Sequence, residues 1–418
     1  MSYLFFITQQ ITYKRFLLLW AVLGLVFTDT TIAKNYPVVS GLIFHVFGIS
    51  AFLGFFLSLL LNKFNFRFRL SIFEILMILY LLIVIVSMIA NNATNIFHHF
   101  IRIAIPLGFG LLYIYVFSNK DFKSIIYAIT IFGLVNVLMS YPLFFSNYLD
   151  IDTSLPSSGF FNDRNGFVRY LSIVNVYFLI EFLQSKRTFR KIIFGFFIFL
   201  IFGGVLIQFS RSGYIVYFIS TAAVLFMSGL KTVRKVAIII LPILLILFAS
   251  FTIARIRSDK MNVFNASDIG RIYMLKAGIN MIKAHPIKGI GYEMTESRLK
   301  EFADKKIPGI FFVTAIHNWF IANWAEMGIF GLIVFCLLNY FLLHDTLKYF
   351  YKLGFIKGKH FLFIFISLLI LMIDGLFLPN YDYENIYWII VALGAIILRD
   401  VPEYPANITP PTACERLR

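Results

Sequence analysis

His317-Asn318-Trp319-Phe320-Ile321-Ala322-Asn323-Trp324-Ala325-Glu326-Met327-Gly328-Ile329-Phe330-Gly331 closes a basic, water-loving segment that opens at Arg255. From Arg255 to Ile316 that segment carries eleven Lys/Arg against six Asp/Glu. On both sides of it the chain is mostly apolar. A long polar loop that ends in a histidine at the mouth of an apolar run points to chemistry at a membrane surface.

Composition bounds the rest. Of 418 residues, 60% are hydrophobic, 18% aromatic and only 14% charged, with a mean hydropathy of +0.84. A soluble domain carries about a quarter charged residues. Too little polar surface remains to cover a water-soluble globule, so the solvent is lipid. The formal net charge of +16 sits in short clusters between apolar runs. That is the pattern of cytoplasmic anchors, and it excludes a nucleic-acid groove. Two cysteines, Cys336 and Cys414, are too few for a disulfide framework. The first apolar run lacks a small-residue cleavage site and reads as a first span, not as a signal peptide.

Apolar runs of about 18–25 residues fall near 16–33, 37–61, 70–90, 100–118, 124–147, 166–184, 192–209, 213–229, 236–254, 318–343, 361–379 and 387–398. They predict an all-α polytopic membrane protein of about 12 transmembrane helices. The spans form a single transmembrane domain over 1–400, with a large outer-face loop over 255–316 and a polar cytoplasmic tail over 401–418. Lys63, Arg67 and Arg69 follow the second span, Lys120 and Lys123 the fourth, Lys186, Arg187, Arg190 and Lys191 the sixth, and Lys231, Arg234 and Lys235 the eighth. The short odd gaps, Asn91–His99 and Asn380–Asn385, carry no Lys or Arg. Both termini are therefore expected in the cytoplasm, with the odd loops outside. The basic loop from 255 to 316 breaks the charge rule, as long loops can, and its charge calls for an anionic partner on the outer face.

Within that loop Ser267 or Asp268 is the expected N-cap of an amphipathic helix. Ile272, Leu275, Ile279 and Ile282 recur at helical spacing, and Pro286 follows the end. Arg271 would then stand in the first turn, where the helix dipole and free N–H groups favour a phosphate. Arg211, in Ser210-Arg211-Ser212-Gly213, lies between two apolar spans, and its planar fork suits bidentate phosphate binding. It reads equally as an interfacial arginine whose charge snorkels to water. His317, at the head of the tenth span, has the chemistry to take a proton from a sugar hydroxyl; a plain hydrogen-bonded interfacial histidine is the other reading. Glu326 is expected nine residues further in, about 13 Å deeper, as a supporting or structural acid. Asp374 is the second buried acid. No His/Cys/carboxylate set has metal-ligand spacing, so no zinc site is expected, and no cofactor.

His317-Asn318, nine residues, Gly328, two residues and Gly331 resemble the histidine motif of the O-antigen ligase and polymerase superfamily. Ser210-Arg211-Ser212-Gly213, and Gly270-Arg271 in a loop closing on Pro286…Gly289-Ile290-Gly291, are similar to its arginine sites. Gly159-Phe160-Phe161-Asn162…Asn165 is similar to its upstream outer loop. The resemblance implies a GT-C-like glycosyltransferase of the bacterial inner (plasma) membrane, working on the periplasmic face without metal or nucleotide sugar. The donor would be a glycan on undecaprenyl diphosphate. Arg211 and Arg271 would grip the diphosphate, and His317 would activate the acceptor hydroxyl for an inverting attack. Arg164 and Asn318 would add substrate or supporting contacts. The acceptor is a lipid-linked repeat in a polymerase, toward which these motifs lean, or lipid A-core in a ligase. A chain-length regulator is a candidate partner. A transporter or flippase of a lipid-linked glycan is the reading from a different class, but paired repeats and midplane helix breaks are not evident in the sequence.

Overall fold

The computed structural model describes residues 13–15, 71–93, 96–149, 164–258, 262–303, 315–377 and 385–399. The spans expected at 16–33 and 37–61, the Gly159-Phe160-Phe161-Asn162 stretch and the 401–418 tail lie outside these residues. Every regular element among the described residues is helical. In chain order they are α1 (Ile72–Ala90), α2 (Ile96–Val116), α3 (Phe122–Leu149), α4 (Arg164–Gln184), α5 (Thr188–Leu206), α6 (Arg211–Met227) and α7 (Lys231–Ser258). Then follow α8 (Asn262–Ala284), α9 (Thr295–Phe302), α10 (Trp319–Lys357), α11 (Lys359–Asp374) and α12 (Asn385–Arg399).

Ten of the expected apolar runs, from the third onward, each contain a helix. Seven helices among the described residues are long and apolar enough to cross a bilayer, so the chain is an integral membrane protein. The helices α6, α11 and α12 are shorter, at 17, 16 and 15 residues. Helices are what such a sequence must form, because lipid offers no partner for an exposed peptide group. Outward faces are accordingly greasy: Ile75, Leu82 and Val86 on α1, Phe189, Phe196 and Phe199 on α5, and Ile239 and Ile246 on α7 are exposed.

At the centre, α4 is buried nearly all round and packs on α5, α6 and α11. It runs antiparallel to α11, and an ion pair ties the two together near each end. Lys359 Nζ meets Glu181 Oε1 at 2.6 Å, and Arg169 Nη1 meets Asp374 Oδ2 at 3.2 Å. The Lys359 end is the one expected to face the cytoplasm. There Arg399 of α12 donates to the Ile114 and Phe117 carbonyls that end α2.

The tenth run departs from expectation. A straight helix would hold residues 319 and 335 about 24 Å apart along its axis, yet the rings of Trp319 and Phe335 have centroids 4.6 Å apart. Phe320 also lies 5.7 Å from Phe335. The helix folds back on itself at Gly328 (φ 72°, ψ −174°), so Trp319–Met327 is a short re-entrant arm beside the long limb that follows. The cause is local and steric. The turn Pro286–Gly291 is wedged into the break: Ile290 N–H donates to Ala325 O at 2.9 Å, Gly291 N–H to Glu326 O at 3.0 Å, and Ile329 N–H to Pro286 O at 3.0 Å. Gly289 (φ 67°) and Gly328 approach backbone to backbone. A Cβ on either would collide with the other strand's carbonyl, Glu326 O or Ile287 O. The Pro…Gly-Ile-Gly stretch is thus a wedge that shapes the histidine helix.

Candidate functional site

The fold-back reverses the expected depth of two residues. Glu326 sits at the apex, level with Ser87 near the end of α1, whose Oγ donates to Glu326 O at 2.7 Å. Asn323, one turn back, accepts from Tyr80 Oη at 2.6 Å, and Tyr80 lies seven residues, about 10 Å, further down α1. Trp319 is fully buried against Phe335 and Tyr387. The arm therefore descends into the bundle toward its own N-terminus, and His317-Asn318 stand in a recess below the apex rather than at the rim. Glu326 is not the deeper acid. It holds the turn, its carboxylate accepting from Thr295 Oγ1 at 2.5 Å and Glu293 N–H at 3.1 Å.

His317 Nδ1 lies 2.9 Å from the Ala315 carbonyl oxygen. A carbonyl can only accept, so Nδ1 is the donor here, and in the neutral ring that puts the lone pair on Nε2, the tautomer a general base needs. Asn318 caps the arm, its side-chain oxygen accepting from Ile321 N–H at 3.0 Å. Trp319 N–H donates to Gly375 O at 2.7 Å, which joins the arm to the end of α11 one residue beyond Asp374. Asp374 and Arg169 are 0% and 4% exposed. A charge pair at that depth is tolerated because each neutralises the other.

Four residues back along α4, Asn165 meets the Ser-Arg-Ser-Gly motif. Ser210 Oγ donates to Asn165 Oδ1 at 2.5 Å and accepts from Gly213 N–H at 3.0 Å, capping α6. Ser212 Oγ lies 3.4 Å from the same Asn165 oxygen. Gly213 has no room for a Cβ beside Val168, so the two helix starts are in close contact. Arg211 is the first residue of α6 and exposed, and Arg164 is the first residue of α4. The N-termini of α4, α6 and the arm therefore gather at one end of the bundle, each with the positive end of its dipole there.

Arg271 needs a correction. Helix α8 begins at Asn262, so Ser267 and Asp268 fall inside the helix and not at its N-cap. Arg271 lies mid-helix, and the helix-terminus argument for a phosphate passes instead to Arg211. The packed face differs too. Gly270, Met274, Ala277, Gly278 and Met281 are buried, whereas Ile272 and Ile279 of the expected stripe are exposed. Small residues win that face because α8 lies against the arm, with Gly278 touching Ile316 and Ile321 at 2.9 and 3.0 Å for a built Cβ. Gly278 against Ile321 and Pro286 against Ile329 share an offset of 43 residues, so α8 and the arm run parallel. The contact of Gly278 with Ile316 brings α8 alongside the segment that leads into His317. On the loop, burial and then the charges of Arg298 and Lys288 hold the His285 imidazole below its usual value.

Of the residues singled out in the sequence, Arg164 and Arg211 start the two helices that meet at Asn165 and Ser210, His317 and Asn318 precede the arm joined to Gly375, Arg271 lies on the helix packed along the arm, and Glu326 holds the apex. Arg169 was missed. A lone arginine inside an apolar run, with Asp374 inside another, was the signal that could have paired them. The structure so far defines an integral membrane protein whose regular elements, among the described residues, are all helical. Residues 196–336 match the family model Wzy_C, described as O-Antigen ligase, so the resemblance to the O-antigen ligase and polymerase superfamily holds over that segment. The match takes in Arg211, Arg271, His317, Asn318 and Glu326, and leaves Arg164, Asn165, Arg169 and Asp374 outside. No curated protein matches the chain.

Proposed function

We propose that the recess binds a glycan donor linked through a diphosphate to a polyprenyl lipid, and transfers that glycan to an acceptor hydroxyl. What supports this reading is the gathering of the starts of α4, α6 and the arm at one end of the bundle, linked through Asn165–Ser210, Arg169–Asp374 and Trp319–Gly375. Fixed cations and dipoles at a departing anion are the largest electrostatic contribution to such a reaction. Arg211 and Arg271 neutralise the diphosphate, and Nε2 of His317 takes the acceptor proton. The acceptor oxygen attacks the anomeric carbon in line. The bond from that carbon to the phosphate oxygen breaks, the configuration inverts, and the lipid diphosphate leaves with the bonding pair. On this reading the 1–400 transmembrane domain is GT-C-like, both termini are cytoplasmic, and the recess opens to the periplasmic face of the inner membrane.

The acceptor favoured by the Ser-Arg-Ser-Gly and Pro…Gly-Ile-Gly motifs is a second lipid-linked repeat, which makes the protein a surface-polysaccharide polymerase, with a chain-length regulator as its partner. The description of the matching family favours a second reading, transfer to lipid A-core by a ligase. The test uses purified protein in lipid with lipid-linked repeat and no ion gradient. Wild type yields polymer ladders, His317→Ala yields none while remaining folded, and Arg211→Ala and Arg271→Ala lose donor use by about tenfold or more. Movement of intact lipid without new glycosidic bonds overturns the reading, as do near-normal ladders from any two variants.

A further inference from the structure

The turn that wedges open Gly328 is itself gripped by a helix that the transfer chemistry does not use. Glu293 stands at φ 56°, a left-handed conformation that a side chain with a Cβ adopts only when its surroundings impose it. Both carboxylate oxygens of Glu293 are engaged from the first turns of α2. His99 Nδ1 lies 2.5 Å from Oε2, and Arg102 Nη1 lies 2.9 Å from Oε1. The Glu293 N–H donates to Glu326 Oε2 at 3.1 Å, so a second carboxylate from the apex of α10 faces the same spot. Arg102 supplies the positive charge that faces the Glu293 carboxylate.

We propose that Arg102, His99 and Glu293 form a clamp that positions the re-entrant arm. The clamp fixes residues 293–295. Glu326 links that point to the apex, and the Ile290–Ala325 and Gly291–Glu326 backbone bonds carry the constraint into the arm that ends at His317. These three are positioning residues, acting through the turn and touching no reacting atom. The consequence for rate rests on the transfer reaction proposed above; the consequence for the arm does not.

Hydrogen exchange on the full-length protein in lipid tests it. Glu293→Gln keeps the shape and removes the charge. It should make arm amides over 319–327 exchange about tenfold faster or more, the effect of losing charge-assisted bonds, with α4 amides unchanged. Arg102→Ala should do the same on a more exposed side chain, and Arg102→Lys should restore most of the protection. Unchanged arm exchange in both Glu293→Gln and Arg102→Ala overturns the clamp. In the transfer assay the same variants should lower kcat about tenfold and leave KM within about twofold, as a displaced catalytic group does. A wild-type protein that transfers no glycan removes the functional reading and leaves the exchange result standing.

Discussion

In the proposed reaction the base role of His317 rests on a main-chain carbonyl. With Nδ1–H committed to Ala315 O, Nε2 is the nitrogen that can accept a proton. Beside it, Arg169 and Asp374 illustrate a different economy of charge. The pair is buried in the bundle, four residues from Asn165 on one side and one residue from Gly375 on the other. Removing one partner strands the other, so Arg169→Met or Asp374→Leu alone should cost about 3–5 kcal/mol, while the double apolar replacement should fall near wild type. Thermal unfolding of the purified variants reads both outcomes. A single variant as stable as wild type would mean that the two charges do not depend on each other.

Among the elements, the arm and its wedge set the site. Apolar length and the charge alternation between spans were enough to locate α1–α7 and α10–α12 in the sequence, because lipid imposes one rule on every spanning segment. The fold-back was not legible that way. Hydropathy averages over a window and does not see that Gly328 sits at φ 72° or that residues 286–291 hydrogen-bond into the break. The same blindness placed Glu326 below His317 rather than above it. On α8, periodicity picked out the isoleucines, yet close approach of Ile316 and Ile321 required the small face at Gly278. His317, Arg211 and Arg271 could be named as candidates from residue chemistry and motif spacing, whereas the Asn165–Ser210 contact and the Arg169–Asp374 pair needed the tertiary packing. If the wedge makes the fold-back, Gly328→Ala should be far more damaging than a surface change. Backbone strain at a left-handed residue alone costs about 1–3 kcal/mol, and the collision with Ile287 O adds to it. Gly354, also left-handed but with nothing within reach of a Cβ, gives the control. Gly328→Ala should lower stability more than Gly354→Ala, and the reverse order would contradict the wedge.

At the scale of the whole molecule, the bundle separates two jobs. One end is stitched by Lys359–Glu181 and by Arg399 on the α2 carbonyls. The other end collects the starts of α4, α6 and the arm beside the broken helix. On the proposed reading, cationic groups spread from 164 to 271 serve a single ligand there. The central claim is that Arg211 and Arg271 hold one and the same diphosphate. Binding of a polyprenyl diphosphate without glycan, measured on wild type, Arg211→Ala, Arg271→Ala and the double variant in nanodiscs, tests it most directly. Each single variant should weaken binding by about tenfold or more, and the double should lose less than the product of the two, as partners at one site do. Wild-type affinity in either single variant, or losses that simply multiply, would contradict a shared diphosphate site.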